Sequence, residues 1–346
     1  MKHGRGNLTG TKYFFVHACV EIVCFYLLRI HFPTVMAGAV ALLYDFFAFL
    51  PQGLIGDFII KHRKIPYETV GHLLMAAGGV CILAFPAKAV HFLGYILLAL
   101  GNAVLHECGA VATVAESEGK IFPSALFVAG GSFGVVIGQT MGTHQVSPYF
   151  LLIPLVLSEL LCLSAKTSVR KEKYPEFSVV SPKVAAGTVL LIAFLVTAVR
   201  SYIGYAIPIS WNKEVWQSFF LFFIMGAGKA LGGYLADRFG ARKTAFIGTL
   251  AAIPFLLFGD RVMIVSCIGV FFFSMTMSIT FAMCLSILKT NPGLAFGITT
   301  AGLFLGLLPA FFIQFSPLVN AVLITVFSVL CFVLLRYSLT DGAPGR

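Results

Sequence analysis

Charge is scarce in this chain of 346 residues, of which only 11% are Asp, Glu, Lys or Arg. A soluble globular domain carries roughly 25% charged residues, so the deficit excludes an ordinary soluble enzyme and a disordered polymer alike. Acid is scarcest, with 14 Asp and Glu against 24 Lys and Arg. No Gly-rich loop closing on Lys-Ser/Thr occurs, which removes ATP-driven chemistry housed in this chain. No Cys-x-x-Cys pair occurs either. The eight cysteines, Cys19, Cys24, Cys81, Cys108, Cys162, Cys267, Cys284 and Cys331, lie in or at the ends of apolar runs. They read as small buried hydrophobes, with neither a disulfide nor a metal implied. The short alternating segments of a membrane β-barrel are missing as well. No nucleophile paired with a base stands out, so an enzyme is the weakest reading.

What the chain has instead is apolar length: 59% hydrophobic residues and a mean hydropathy of +0.94. A bilayer-spanning helix uses about 20 apolar residues, so there is room for roughly a dozen spans and little else. Breaks at charge, Pro and turn residues predict twelve helices, near 12–30, 34–58, 68–86, 89–110, 122–142, 148–165, 184–208, 215–236, 242–258, 262–287, 293–314 and 317–336. The first run is long, carries Glu21 and lacks a small-residue cleavage site, so it reads as a retained helix. With an even number of spans, both termini and every second loop share one face. Eighteen of the 24 Lys and Arg fall on that face and four on the other. The positive-inside bias makes that face cytoplasmic, in a multi-pass cell-membrane protein with both termini inside. The net charge of +10 thus records topology, and no nucleic-acid partner is needed to explain it.

The longest hydrophilic gap, residues 166–183, falls at the midpoint and separates residues 1–165 from 184–346. Six helices on each side suggest a duplication, which a repeat supports. Gly53-Leu-Ile-Gly-Asp57-Phe-Ile-Ile-Lys61 ends the second span, and Gly233-Tyr-Leu-Ala-Asp237-Arg238-Phe-Gly240-Ala-Arg242-Lys243 ends the eighth. The second copy resembles the loop signature Gly-x-Leu-Ala-Asp-Arg-x-Gly-Arg-[Arg/Lys] of the major facilitator superfamily. The resemblance implies an all-α integral membrane fold of twelve transmembrane helices in two pseudo-symmetric halves. It also implies a cytoplasmic gate made by Gly53, Asp57, Gly233, Asp237, Arg238, Gly240, Arg242 and Lys243. There the Asp can accept from amides at a neighbouring helix N-terminus, and the cations hold the face shut. The first copy departs from the signature, with Phe58 and Ile60 where the superfamily has Arg and Gly.

A narrower resemblance covers about forty residues. Gly101-Asn-Ala-Val-Leu105-His106-Glu107-Cys-Gly, followed by Ser124-Ala-Leu-Phe127-Val-Ala-Gly130-Gly131-Ser-Phe-Gly134-Val-Val-Ile-Gly138-Gln139, is similar to the fosmidomycin-resistance-type drug exporters. The pair Arg200-Ser201 fits as well. Glu107 and Gln139 replace two prolines of that pattern. Gly130, Gly134, Gly138 and Gly142 form one narrow stripe suited to close helix packing. In the major facilitator fold such a stripe is expected to face the partner half.

Charge inside a bilayer costs on the order of 3 kcal/mol even on insertion scales, so each such residue is a functional candidate. Glu21 lies mid-span with His17 one turn before it. Asp45 lies roughly 18 Å from the loop Asp57 along its helix, near the midplane. Acid gathers in the first half, whereas Arg200 and Lys229 are buried in the second. Glu21 and Asp45 are therefore candidate proton carriers, and Arg200 and Lys229 candidate anion ligands, with His17, His106, Glu107, Tyr44, Tyr202 and Tyr205 as further cavity residues. The plainer reading is a set of structural ion pairs across the halves, such as Glu21 or Asp45 with Arg200 or Lys229. Glu159 reads as structural, and Trp211 and Trp216 as interfacial anchors.

The expectation is a monomeric secondary transporter without cofactor, working by alternating access on a small molecule with protons, within the lipid bilayer. The subfamily resemblance implies proton-coupled export of small amphipathic or anionic compounds. A proton-coupled importer of an organic anion is the alternative, and a receptor or scaffold that lost transport is a third.

Overall fold

The computed structural model describes residues 4–30, 34–164 and 173–340, with side chains from 38 onward in the second of these segments. Lys2, Lys166, Arg170, Lys171 and Arg346 lie outside the described residues. With no water in the hydrocarbon, backbone N–H and C=O groups must pair within their own segment, and apolar runs of this length therefore become helices. Eleven are long and apolar enough to span: α1 Arg5–Ile30, α2 Gly38–Lys61, α3 Tyr67–Ala84, α4 Lys88–Glu116, α5 Phe122–Thr143, α7 Ala186–Ala206, α8 Val215–Phe239, α9 Ala241–Phe258, α10 Met263–Ile287, α11 Pro292–Phe311 and α12 Pro317–Ser338. A shorter apolar helix, α6, covers Pro148–Ser164. The protein is a multi-pass membrane protein, and these twelve helices follow the runs expected from the sequence.

Several helices are interrupted where the sequence cannot sustain the hydrogen-bond ladder. α2 breaks between Phe49 and Gln52 at Pro51, whose ring removes a donor. α9 passes through a π-turn at Ile247–Ala251 just before Pro254. α10 divides into Met263–Ser274 and Met277–Ile287. At that break the Phe273 carbonyl accepts from Arg200 Nε at 3.4 Å and Thr276 Oγ1 at 3.2 Å.

α1 packs along α5, α3 along α4, and α7 along α11 and α12, while α8 lies against both α5 and α10 and α2 against α11. The glycine stripe of α5 turns toward α1, not toward the later helices. A Cβ on Gly130, Gly134, Gly138 or Gly142 would run into α1 at Phe14, Ala18, Ile22 and Tyr26 in turn. Both series step by four, as when i±4 ridges of two helices interdigitate. The expectation that this stripe faces the partner half is therefore corrected. α5 presents another side to α8, where Gly226 meets the Phe133 ring and Gly233 meets Ala125. α2 and α11 touch backbone to backbone through Gly53 with Gly297 and Gly56 with Gly293.

The end of the hydrophilic segment is tied down. Val180 forms an antiparallel bridge with Leu339, supported by Ser181 N to Ser338 O at 2.9 Å and Thr340 N to Val179 O at 3.0 Å.

Candidate functional site

A cavity of about 330 Å³ opens among α7, α8, α10 and α11, with Arg200, Lys229, Ser201, Asn212, Phe273 and Met277 on its wall. It runs from mid-helix at Arg200 to Asn212 in the α7–α8 turn, away from the loop motifs. No acid lines it. Arg200 is 9% exposed, and its guanidinium carbon stands 5.0 Å from the centre of the Phe273 ring. Lys229 Nζ donates to Ser132 Oγ at 2.8 Å across the α5–α8 seam. Among the described residues neither cation forms an ion pair, so the cross-half pairs with Glu21 or Asp45 do not occur. Two desolvated positive charges held by neutral partners retain most of their attraction for an anion.

The residues assigned to this region from sequence do not all meet there. Tyr202 donates to Asn320 Oδ1 at 3.0 Å and packs on Phe315 and Phe327. Tyr205 is 52% exposed. Tyr44, His17, His106 and Glu21 gather instead between α1, α2 and α4. Glu21 Oε1 lies 3.5 Å from His17 Nε2 and 3.4 Å from His106 Nε2. Asn102 donates to Glu21 Oε1 at 3.2 Å and also contacts the Tyr44 hydroxyl. His17, Glu21 and His106 are close enough together to hold a metal ion. Asp45 is partly buried and makes no hydrogen bond among the described residues. Glu107, with 0% exposure, packs against Gly56 where α2 meets α11, and neither of its oxygens has a hydrogen-bond partner among the described residues. Glu159 pairs with His72 at 2.8 Å and accepts from Thr69 at 2.8 Å.

Both loop motifs bind across helices at the same end of the molecule. Asp237 on α8 accepts from the Ile121 and Phe122 amides at 2.8 and 2.9 Å. These are free N–H groups at the start of α5, where the helix dipole also favours an anion. Asp57 on α2 reaches the start of α11 differently, accepting from Asn291 Nδ2 at 2.7 Å and from its own Lys61 at 2.5 Å. Asn291 in turn caps α11 by accepting from Leu294 N at 3.0 Å. Gly240 has φ +96, a left-handed conformation that suits glycine, and it turns the chain from α8 into α9. Arg238 is exposed and lies over the Phe239 ring; Lys243 is exposed and Arg242 partly buried.

Sequence reasoning missed Asn102, Ser132 and Asn291. Asn291 carried a signal, since Asn before Pro at a helix start is a cap pattern. Asn102 lies four residues before His106 on one face of an apolar helix, which is a weaker sign.

Helix order, broken helices and paired loop motifs define the major facilitator fold. The E. coli fucose:proton symporter FucP, solved as a single-residue variant, has a TM-score of 0.62 and 15% identity over 95% of this chain and 96% of its own. A structure of FucP, a major facilitator superfamily transporter, in the outward conformation gives 0.61 and 16% over 95% and 97%. In sequence the chain resembles the Fosmidomycin resistance protein of Escherichia coli (strain K12), 23% identical over 248 residues. That match takes in 64% of this chain and spans 61% of the relative's length. No family profile matches the chain.

Proposed function

We propose that this protein is a secondary active transporter that moves small anionic or amphipathic compounds by alternating access, coupled to protons and directed outward. The observation that carries the reading is the cavity onto which Arg200 and Lys229 face, with no acid among the described residues of its wall. Such a pair attracts an anionic group by charge and, through the Arg200 fork, by paired hydrogen bonds. Residues 1–165 and 184–346 act as the two rocking halves, joined by residues 166–183, and the loop-motif end is closed while the cavity reaches the opposite end. The basic loops put that closed end in the cytoplasm of a cell-membrane monomer. Asp57 and Asp237 with their partners hold it shut, and opening must break both contacts.

Protons enter through Asp45 and Glu21, which lie near the midplane and pair with no Lys or Arg among the described residues; a metal ion held at Glu21 would leave the exchange to Asp45. The resemblance to a resistance protein favours export. The symporter neighbours favour the alternative, an importer that brings an organic anion in together with protons. Vesicles containing the purified chain, loaded with candidate anions and given a pH gradient, separate the two. Anion leaving as protons enter supports export, and accumulation with protons moving in the same direction overturns it. Asp45→Asn should remove the dependence of flux on the gradient, and Lys229→Ala should lower flux at least about tenfold. Transport that survives both substitutions with its pH dependence intact would sink the residue assignment.

A further inference from the structure

His17 and Glu21, one turn apart on α1, are faced by His106 from α4, and all three are buried, with 8%, 5% and 5% exposure. Each imidazole has one nitrogen committed to a main-chain carbonyl: His17 Nδ1 lies 2.9 Å from Phe127 O, and His106 Nδ1 lies 3.0 Å from Asn102 O. A carbonyl oxygen can only accept, so both rings carry their hydrogen on Nδ1. Neutral rings then present bare lone pairs at Nε2, and these two nitrogens are 2.7 Å apart. Lone pairs held so close, beside the Glu21 carboxylate, repel each other unless a cation lies among them.

A shared proton bridges the two nitrogens but leaves Glu21 Oε1 at 3.4 and 3.5 Å from them, and Glu21 Oε2 buried without a hydrogen-bond partner among the described residues. A metal ion engages all three side chains. The point equidistant from the two Nε2 atoms and Glu21 Oε1 is about 1.9 Å from each, so an ion at zinc bond lengths of about 2.0–2.2 Å sits just off their plane. The unpartnered Glu21 Oε2 is a fourth donor on the spot.

The surroundings suit such an ion. Imidazoles that bind metal donate their other N–H to a carbonyl or carboxylate, which fixes tautomer and ring angle, and both rings here do so. Asn102 orients Glu21 Oε1 from 3.2 Å. Gly131 and Gly134 leave the space, since a Cβ there would strike the His17 ring and Glu21 Cβ respectively. The charged groups whose fields reach Glu21 from other helices are Lys229 and Asp45, of opposite sign.

We propose that His17, Glu21 and His106 form a binding site for a divalent transition-metal ion, and two imidazoles with one carboxylate are a donor set that suits zinc. The site lies in the first six helices, apart from the cavity at Arg200 and Lys229, and its existence does not rest on the transport reading. Spacing along the chain conceals it because the ligands come from two helices 89 residues apart.

The full chain in detergent, stripped with a chelator, should take up one Zn²⁺ per molecule in titration calorimetry and should melt at a higher temperature with zinc present. Co²⁺ should give the visible d–d bands of a low-coordinate nitrogen and oxygen site. His17→Ala, Glu21→Gln and His106→Ala should each weaken zinc binding at least about tenfold and abolish the cobalt spectrum. His72→Ala, which disrupts the separate pair with Glu159, should leave both unchanged. If the variants do not fold, X-ray absorption on the zinc-loaded wild-type chain decides, by showing two imidazoles and a carboxylate or not. No zinc uptake by the wild-type chain, uptake retained in the three variants, or sulfur ligation would each overturn the site.

Discussion

Between α1 and α4 the helices close around Glu21, His17, His106 and Asn102, and the space beside the two histidines is too narrow for water. Around Arg200 and Lys229, by contrast, α7, α8 and α10 stand apart and enclose about 330 Å³. Both regions bury charge in a bilayer protein, where an unpaired ion is costly. The first gathers a carboxylate and two imidazoles around the point where the proposed cation would offset that cost. The second meets it with a ring face, a carbonyl and a hydroxyl, none of which cancels the positive charge. Polar burial can either hold helices together or keep a field available for a solute, and the bonded partners distinguish the two.

The α1–α5 contact that encloses the first cluster is the most sensitive to substitution. Gly134→Leu drives a side chain into the Ala18 carbonyl region and toward Glu21 Cβ, and should cost about 3 kcal/mol or more. Gly302→Leu, against the Phe194 carbonyl on α7 at 2.9 Å, should lower the melting temperature less. Melting and size-exclusion profiles in detergent check the order, and equal losses would remove the distinction between the halves.

The two loop-motif contacts come next. Asp237→Ala strips two amide bonds from the start of α5, a loss of about 1–2 kcal/mol on the scale of helix caps. Asp57→Ala removes one bond to Asn291, which still caps α11, and should cost under about 1 kcal/mol. Distances between spin labels on facing helices at the motif end should therefore shift toward the open state further for Asp237→Ala.

In the cavity, Arg200→Lys keeps the charge but loses the planar group over Phe273. Anions that stabilise the wild-type chain should then bind about tenfold more weakly, as read from thermal-shift titrations, while the zinc affinity of the first region stays unchanged.

The smallest effect is at the tie between the α7–α8 and α9–α10 turns. Asp260 accepts from Ser210 N at 2.9 Å, and the hydrogen bonds from Ser210 hold its carboxyl below the usual carboxylate range. A lowered folded-state value means the tie is present at neutral pH and fades as pH falls through that value. The protection factor of the Ser210 amide against hydrogen exchange, taken relative to the intrinsic rate at each pH, should fall on acidification in the wild-type chain and lose that dependence in Asp260→Asn.

Much of the fold was legible in order along the chain. Apolar runs broken by charge and proline marked all twelve helices, because a bilayer gives the backbone no other way to pair its polar groups. Asp57 and Asp237 stood out through their repeated glycine spacing. The glycine stripe was visible too, yet its partner was not: a stripe shows that something approaches closely, and only the assembled helices show that it is α1. Tyr202 and Tyr205 were read as cavity residues because they neighbour Arg200 in sequence, but a helix turns neighbours to different faces.

Local composition set where the apolar helices lie along the chain and which charges fall inside them, because a bilayer acts on each segment as a fixed solvent. The tertiary structure alone decided what those charges touch. Arg200 and Lys229 line open space, and the His17–Glu21 pair meets His106 and Asn102, because contacts between residues 81, 89 or 97 positions apart are set by how helices pack and leave no periodic trace along the chain.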